Sequence, residues 1–421
     1  MASKINMNNI LNNIMAILFT IFATSSALIT YIIPSQAIRG VLAITLLLCI
    51  VISILKNKKI TAYTLYLLMM AIMTLNSNYN LENKSINSFL NFLSAILVCA
   101  LAYKDIDWAK KALKYMSIVY VFYSAVTIIF KFMPDFYLSN IVQLFPDTKT
   151  QLINMYNSGY MPGLTNHYST NAMLIATGLC IELSKYMGGA EFTKKNKLII
   201  ILHIVALLLT GKRGHIIFIL VAFLITYYFY KSDKNIIKRF FIVIGVVILI
   251  LIIGSIAIKI FPDLGTFIYR FQAKIEQDDI TSSRTRFWDL ALELFSEHPI
   301  LGIGWAQFQY YSETILNYKA HTHNVFLQLL CESGIVGFVI YLGWFIYSLY
   351  ITIKVYKYSV KNDLKENIGL LSFSMLIQIF FLLYCITGNP LYDAEMYIPY
   401  FIGCSIAIYY YNKAKRKDIN K

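Results

Sequence analysis

Three short strings hold the residue types and spacings that could carry chemistry. In Thr210-Gly-Lys-Arg-Gly-His215, two cations lie between glycines where two long apolar runs meet. Gly211 and Gly214 permit a sharp reversal. The amides opening the next helix would then add a positive dipole end beside Arg213. A fixed guanidinium next to such amides is an anion site, and phosphate is the anion at hand near a membrane. The plainer reading is snorkelling to the headgroups, which suits Lys212, whereas Arg213 is open to both. The second string runs from Thr281 to Phe295, with apolar side chains at 287, 290, 291, 294 and 295 forming one helical face. Ser282 or Ser283 suits the N-cap and Pro299 a stop. Arg284 and Arg286 then fall in or just before the first turn, where positive charge opposes the helix dipole and a bound anion would relieve the conflict. An Arg286–Asp289 pair is the alternative.

The third string, His321-Thr-His-Asn324, stands directly before the apolar run from Val325. A histidine there can be neutral near pH 7 and take a proton from a hydroxyl group. His-x-His could also hold zinc, but that needs a third ligand, for which His167 and His215 are the candidates; no metal and no cofactor is expected. Glu332 lies near His323 and could orient a substrate, and His167 belongs to a polar stretch, 163–171, that could line a cavity. Asp105-Ile-Asp107 has the form of a metal-binding DxD but reads as a helix start, with Asp107 as N-cap. The Gly302 and Gly304 pair follows no strand and reads as backbone geometry.

The elements that must position these strings follow from composition. The chain has 421 residues, 58% of them apolar or aromatic and 14% charged. Soluble domains carry about 25% charged residues, so an ordinary cytosolic enzyme, a disordered chain and a disulfide scaffold are excluded. The six cysteines lie inside apolar runs without a CxxC pair and read as core residues. Runs long enough to span a bilayer lie near 10–33, 37–55, 60–76, 86–103, 115–133, 165–184, 196–211, 214–230, 236–260, 325–353, 367–387 and 393–411. The expected fold is an all-α polytopic membrane protein of about twelve spans, with a larger extracytoplasmic loop, 261–322, between the ninth and tenth. With both termini cytoplasmic, 25 of the 37 Lys and Arg residues fall in the cytoplasmic segments, which assigns the +15 charge to orientation rather than to nucleic acid. The three strings then face outward. The first run is too long for a cleavable signal. The expected parts are an N-terminal bundle, 1–160, a core, 161–411, and a basic cytoplasmic tail, 412–421. No 6+6 repeat is visible, which argues against a transporter.

The strings resemble, in order, the O-antigen ligase/polymerase superfamily of bacterial envelope glycosyltransferases. The resemblance rests on Leu209-Thr-Gly-Lys-Arg213, on Arg286 opening a helix that ends in His298-Pro-Ile-Leu-Gly-Ile-Gly-Trp-Ala-Gln-Phe308, and on His323-Asn-Val-Phe-Leu-Gln before Glu332-Ser-Gly-Ile-Val-Gly337. It covers about 160–350. It implies a metal-independent enzyme of the inner membrane that moves a glycan from undecaprenyl pyrophosphate to a sugar hydroxyl. Arg213, Arg286 and His323 would be catalytic, and Arg284, His321, Asn324, Lys212, Glu332 and His167 would bind substrate. The implied partners are the lipid-linked donor, a lipid-linked chain or lipid A core as acceptor, membrane lipids and a chain-length regulator. Polysaccharide polymerase is the leading expectation, O-antigen ligase the alternative within the class, and a lipid-linked oligosaccharide flippase the alternative outside it.

Overall fold

A run of apolar side chains in lipid has to satisfy its own backbone, and only a helix does so within one segment. The computed structural model describes residues 7–24, 36–56, 62–75, 83–103, 105–189, 191, 193–230 and 284–419, and no strand occurs among them. The helices, in order, are α1 (Met7–Thr24), α2 (Gln36–Lys56), α3 (Ala62–Leu75), α4 (Asn83–Leu97), α5 (Asp107–Phe132), α6 (Lys149–Asn157), α7 (Tyr168–Met187), α8 (Lys194–Thr210), α9 (Arg213–Tyr230), α10 (Thr285–Glu297), α11 (Phe308–Leu316), α12 (Val325–Lys361), α13 (Lys365–Cys385) and α14 (Ala394–Ile419). By length and composition six of the described segments can cross a membrane, namely Met7–Thr24, Ala37–Leu55, Asp107–Phe132, Arg213–Tyr230, Val325–Lys361 and Lys365–Cys385. This is a polytopic α-helical protein. Eleven of the expected runs overlap described helices, and the ninth, 236–260, lies outside the described residues, so the expected count is larger than the six that meet the criterion.

One apolar core runs through α1, α2, α5, α7 and α12–α14, while large apolar side chains such as Leu55, Ile72, Ile118, Ile201 and Ile346 face outward, as a lipid-facing surface requires. Between lipid-embedded helices, close backbone approach and polar contacts replace the hydrophobic drive. At the end of α7 a Cβ on Gly188 would lie 2.7 Å from the Cα of Gly369 in α13, so only glycine lets these backbones meet. His203 is buried in α8 and its Nδ1 lies 2.7 Å from the Ser124 hydroxyl. All six cysteines are buried and unpaired.

Two expected helix starts differ from the structure. Helix α5 has Ile106 at its N-cap instead of Asp107, because the Asp105 carboxylate accepts the Asp107 amide at 2.8 Å. The Asp105 carboxylate also accepts from Asn12 at 2.6 Å, so the DxD string ties α1 to α5. Helix α10 has Arg284 at its N-cap, with no side-chain capping bond, in place of Ser282 or Ser283, which lie outside the described residues. Its end at Glu297, before Pro299, is as expected.

Helix α12 is broken at Gly334, whose φ of 60° and ψ of −171° are non-helical. The break frees backbone groups, and the stretch after α10 pairs with them. The amides of Ile303 and Gly304 donate to the carbonyls of Cys331 and Glu332 at 2.9 Å each, and those of Ile335 and Val336 donate to Pro299 and Ile300 at 2.9 and 3.3 Å. The glycine string after α10 is therefore backbone geometry: it docks α10 onto the split helix α12. At Gly334 a Cβ would collide with the Ile300 carbonyl, and the conformation is essentially reserved for glycine. Gly334→Ala is expected to cost about 3 kcal/mol or more from strain and overpacking. Thermal unfolding of the detergent-solubilised protein would read this as a lowered midpoint, and an unchanged midpoint would contradict it.

Candidate functional site

Five segments meet at one end of the bundle. They are the α8–α9 turn, the residue opening α10, the loop before α12, the connection between α13 and α14, and the start of α7. Gly211, in the left-handed conformation at φ 75°, ends α8 and brings Lys212 to the junction. The Lys212 ammonium lies 5.7 Å from the Tyr168 ring centre and 5.8 Å from that of Tyr384. Arg284 donates from Nη1 to the Thr387 carbonyl at 3.1 Å, which fixes its guanidinium against the α13–α14 connection. Trp288, one turn along α10, donates to the Thr322 carbonyl at 2.9 Å and ties α10 to the histidine loop.

The loop is built by its own side chains. Thr322 donates to the Asn324 carbonyl at 2.7 Å, and Asn324 Oδ1 caps α12 by accepting from Phe326 and Leu327 at 3.0 and 3.2 Å. Between them His323 takes a left-handed φ of 55°, a strained conformation of the kind kept at functional positions. Because its Oδ1 is committed to the cap, Asn324 aims His323 instead of meeting a ligand through that oxygen. Gln328 is the next support. Its Oε1 accepts from the Thr322 amide at 3.3 Å and from Asn389, and its Nε2 donates to Glu332 at 3.0 Å. The same Nε2 lies 2.9 Å from His321 Nδ1. An amide nitrogen only donates, so Nδ1 of His321 accepts and its proton resides on Nε2. His321 is thereby a fixed donor, with its ring 5.2 Å from that of Tyr392.

Charge is one-sided here. Burial and the neighbouring Arg284 lower Lys212 to about 8, and Asp393 opposes that shift. Burial lifts the Asp393 carboxyl to about 7, and Lys212 holds it from going higher. His323 is pushed down to about 3 by burial, then by Arg284, His321, Lys212 and His167. Burial, helped by Lys212, lowers His167 to about 4, and burial lowers His321 to about 4. The arrangement is thus a pair of cations, three neutral imidazoles and one carboxyl that ionises near neutrality. Fixed cations among poorly hydrated groups attract an anion.

The nine sequence candidates divide. Lys212, Arg284, His321, His323 and His167 influence one another across the junction. Arg213 opens α9 next to Lys212 and is half-buried. Arg286 does not join them: it is exposed, with its guanidinium 4.8 Å from the Phe287 ring centre and 5.6 Å from that of Tyr318. The first turn of α10 turns Arg284 inward and Arg286 outward, which reverses the ranking that motif spacing gave. Glu332 is fully buried, and both of its oxygens are taken. It accepts from the Ala306 amide at 2.8 Å, the Phe308 amide at 3.1 Å, Gln328 at 3.0 Å and the Tyr392 hydroxyl at 2.6 Å, so it holds the loop and not a substrate. His167 caps α7, accepting from the Ser169 amide at 3.0 Å. Among the described residues no group of three or more His, Cys, Asp or Glu side chains is placed to hold a metal.

Tyr384, Asn389, Tyr392 and Asp393 also meet the junction but are not among the sequence candidates, because nothing local marks a residue at the end of a span or between two spans as facing another loop. Gln328 carried a signal: it stands four residues before Glu332, on the same helical face.

The architecture defines a polytopic helical membrane protein, with Lys212 and Arg284 brought together at one end of its bundle. Residues 198–342, which contain the α8–α9 turn, α10, the histidine loop and the split in α12, match the family model described as O-antigen ligase, which supports a likeness to the O-antigen ligase/polymerase superfamily. That family implies an O-antigen ligase- or polymerase-type function in the membrane. No curated protein matches the chain.

Proposed function

We propose that the chain is a glycosyltransferase acting at the extracytoplasmic face of a bacterial inner membrane, polymerising glycan repeat units carried on undecaprenyl pyrophosphate. The observation that carries this reading is the convergence of Lys212, Arg284 and a neutral His323. In the transfer, the bond between the donor's anomeric carbon and the diphosphate oxygen breaks as an acceptor hydroxyl oxygen bonds to that carbon. The electron pair leaves on the diphosphate, where Lys212 and Arg284 offset the developing charge. The hydroxyl proton passes to His323. An in-line displacement of this kind inverts the anomeric centre. The low proton affinity of His323 is part of the device. Burial is the main cause of that low affinity; the smaller part due to Arg284 and Lys212 is the part a bound diphosphate would offset, which raises the imidazole's basicity when a base is needed. His321, with its proton fixed on Nε2, can donate to a substrate oxygen.

The test is complementation of a strain lacking the gene. The intact protein is expected to restore long chains. With His323→Ala, single repeats should remain on the acceptor. Long chains left on the undecaprenyl carrier would instead identify a ligase that joins finished glycan to lipid A core. If the intact protein restores neither, the transfer reading is wrong.

A further inference from the structure

The segment between α5 and α7 contains a groove of about 560 Å³, within the range of about 300–1,000 Å³ typical of small-ligand sites. One wall is helix α6 with the turn before it. Asp147, Thr150, Gln151 and Asn154 line it at spacings of three, one and three residues, which places them on one helical face, while Leu152 on the opposite face is fully buried. The other wall is Tyr160 and Tyr168, stacked with ring centres 4.2 Å apart. The Met161 amide donates to the Thr210 carbonyl at 3.4 Å, so this wall is attached to the α8–α9 turn. Tyr168 is shared: it lines the groove, and the Lys212 ammonium lies 5.7 Å from its ring centre.

The lining decides what fits. It contains no Lys or Arg, and its one charged side chain is Asp147, so a phosphate or another anion is disfavoured. Apart from Pro146 and Met155 it is polar or aromatic, which does not suit an acyl chain. Amide, hydroxyl and carboxylate groups opposite an aromatic face match a neutral polyhydroxyl ligand, whose hydroxyls need donors and acceptors and whose C–H face packs on a ring. Among the described residues the side chains of Asp147, Thr150, Gln151 and Asn154 make no hydrogen bond to the protein, so these groups are available to a ligand.

We propose that this groove is a saccharide-binding subsite that holds the glycan next to the transfer centre, with Tyr168 as the wall common to both. The inference rests on the transfer reading for its role and on the groove's own chemistry for its ligand.

The test places the photo-crosslinking residue p-benzoylphenylalanine at Gln151 or at Asn154, in the full chain, in cells making the polymer. A control places it at Ile201, an exposed apolar residue of α8. Illumination is expected to give adducts that stain for periodate-oxidised glycan at 151 and 154 and none at 201. A ladder of many repeats identifies the acceptor chain in the groove, and a single-repeat adduct identifies the donor glycan. Adducts only to peptide or lipid, or no glycan adduct while the strain makes polymer, overturn the inference and leave the transfer reading intact. Glycan adducts on a protein that restores no polymer would keep the subsite and overturn the transfer reading. Independently, the double variant Gln151→Ala/Asn154→Ala should raise the KM of the glycan substrate that crosslinks there about tenfold, as two lost neutral hydrogen bonds predict. Its kcat should stay within about twofold of the parent, which is the signature of lost ground-state binding. An unchanged KM counts against the subsite.

Discussion

Arg284→Ala is expected to lower turnover by about 10²–10³, the usual loss when one preorganised donor to a developing anion is removed. Its geometry is fixed: the Thr387 carbonyl holds the guanidinium at 3.1 Å, so no reorganisation is needed when charge appears on the leaving diphosphate. Arg284→Lys keeps the charge but loses the fork and should recover only part of the rate. Arg286→Ala, by contrast, removes an exposed guanidinium that lies against Phe287 and Tyr318, and its effect should be much smaller. The partner cation adds a pH signature. Lys212 is depressed to about 8, so it is charged below that value and loses its charge, and with it anion binding, as pH rises through it. The kcat/KM profile should therefore fall on the alkaline side near pH 8, and Lys212→Arg should move that limb upward, because a guanidinium stays protonated. Steady-state rates with a purified lipid-linked donor across pH decide both points. Equal losses in Arg284→Ala and Arg286→Ala would remove the distinction between them.

The second large effect concerns stability. Glu332→Ala should prevent the loop after α10 from docking and leave little folded protein. Four donors converge on that carboxylate: the amides of Ala306 and Phe308, the Gln328 amide group and the Tyr392 hydroxyl. Stranding buried donors costs about 1–3 kcal/mol each, and the sum approaches the whole stability of a typical domain, about 5–15 kcal/mol. Glu332→Gln retains one acceptor oxygen but turns an NH₂ toward other donors, so an intermediate loss is expected. Limited proteolysis within 298–308 and thermal unfolding in detergent measure this. A Glu332→Ala protein with the parent's midpoint and protease resistance would remove Glu332 from its structural role and return it to the substrate candidates.

What the amino-acid order determined here is what is local or compositional. Long apolar runs dictate helices because lipid offers the backbone no partner. Gly211 ends α8 where a turn was expected, and Pro299 lies just beyond the end of α10, because both effects act within a few residues. The glycine string before Trp305 was legible as backbone geometry, though not as the piece that fills a break in another helix. The direction of each side chain around the junction was decided by tertiary structure. Arg284 and Arg286 are two residues apart and thus lie on different sides of the chain; which one faces the histidine loop depends on Trp288 reaching Thr322 and on Thr387 arriving from another helix pair. Glu332 looked like a substrate ligand beside His323 until Ala306, Phe308 and Tyr392 were brought to it from distant segments. Lys212 looked like a headgroup anchor until Tyr168, Tyr384 and Asp393 surrounded it. Spacing along a chain reports which residues share a face; what that face meets is fixed by contacts across many residues, and these exist only once the bundle has packed.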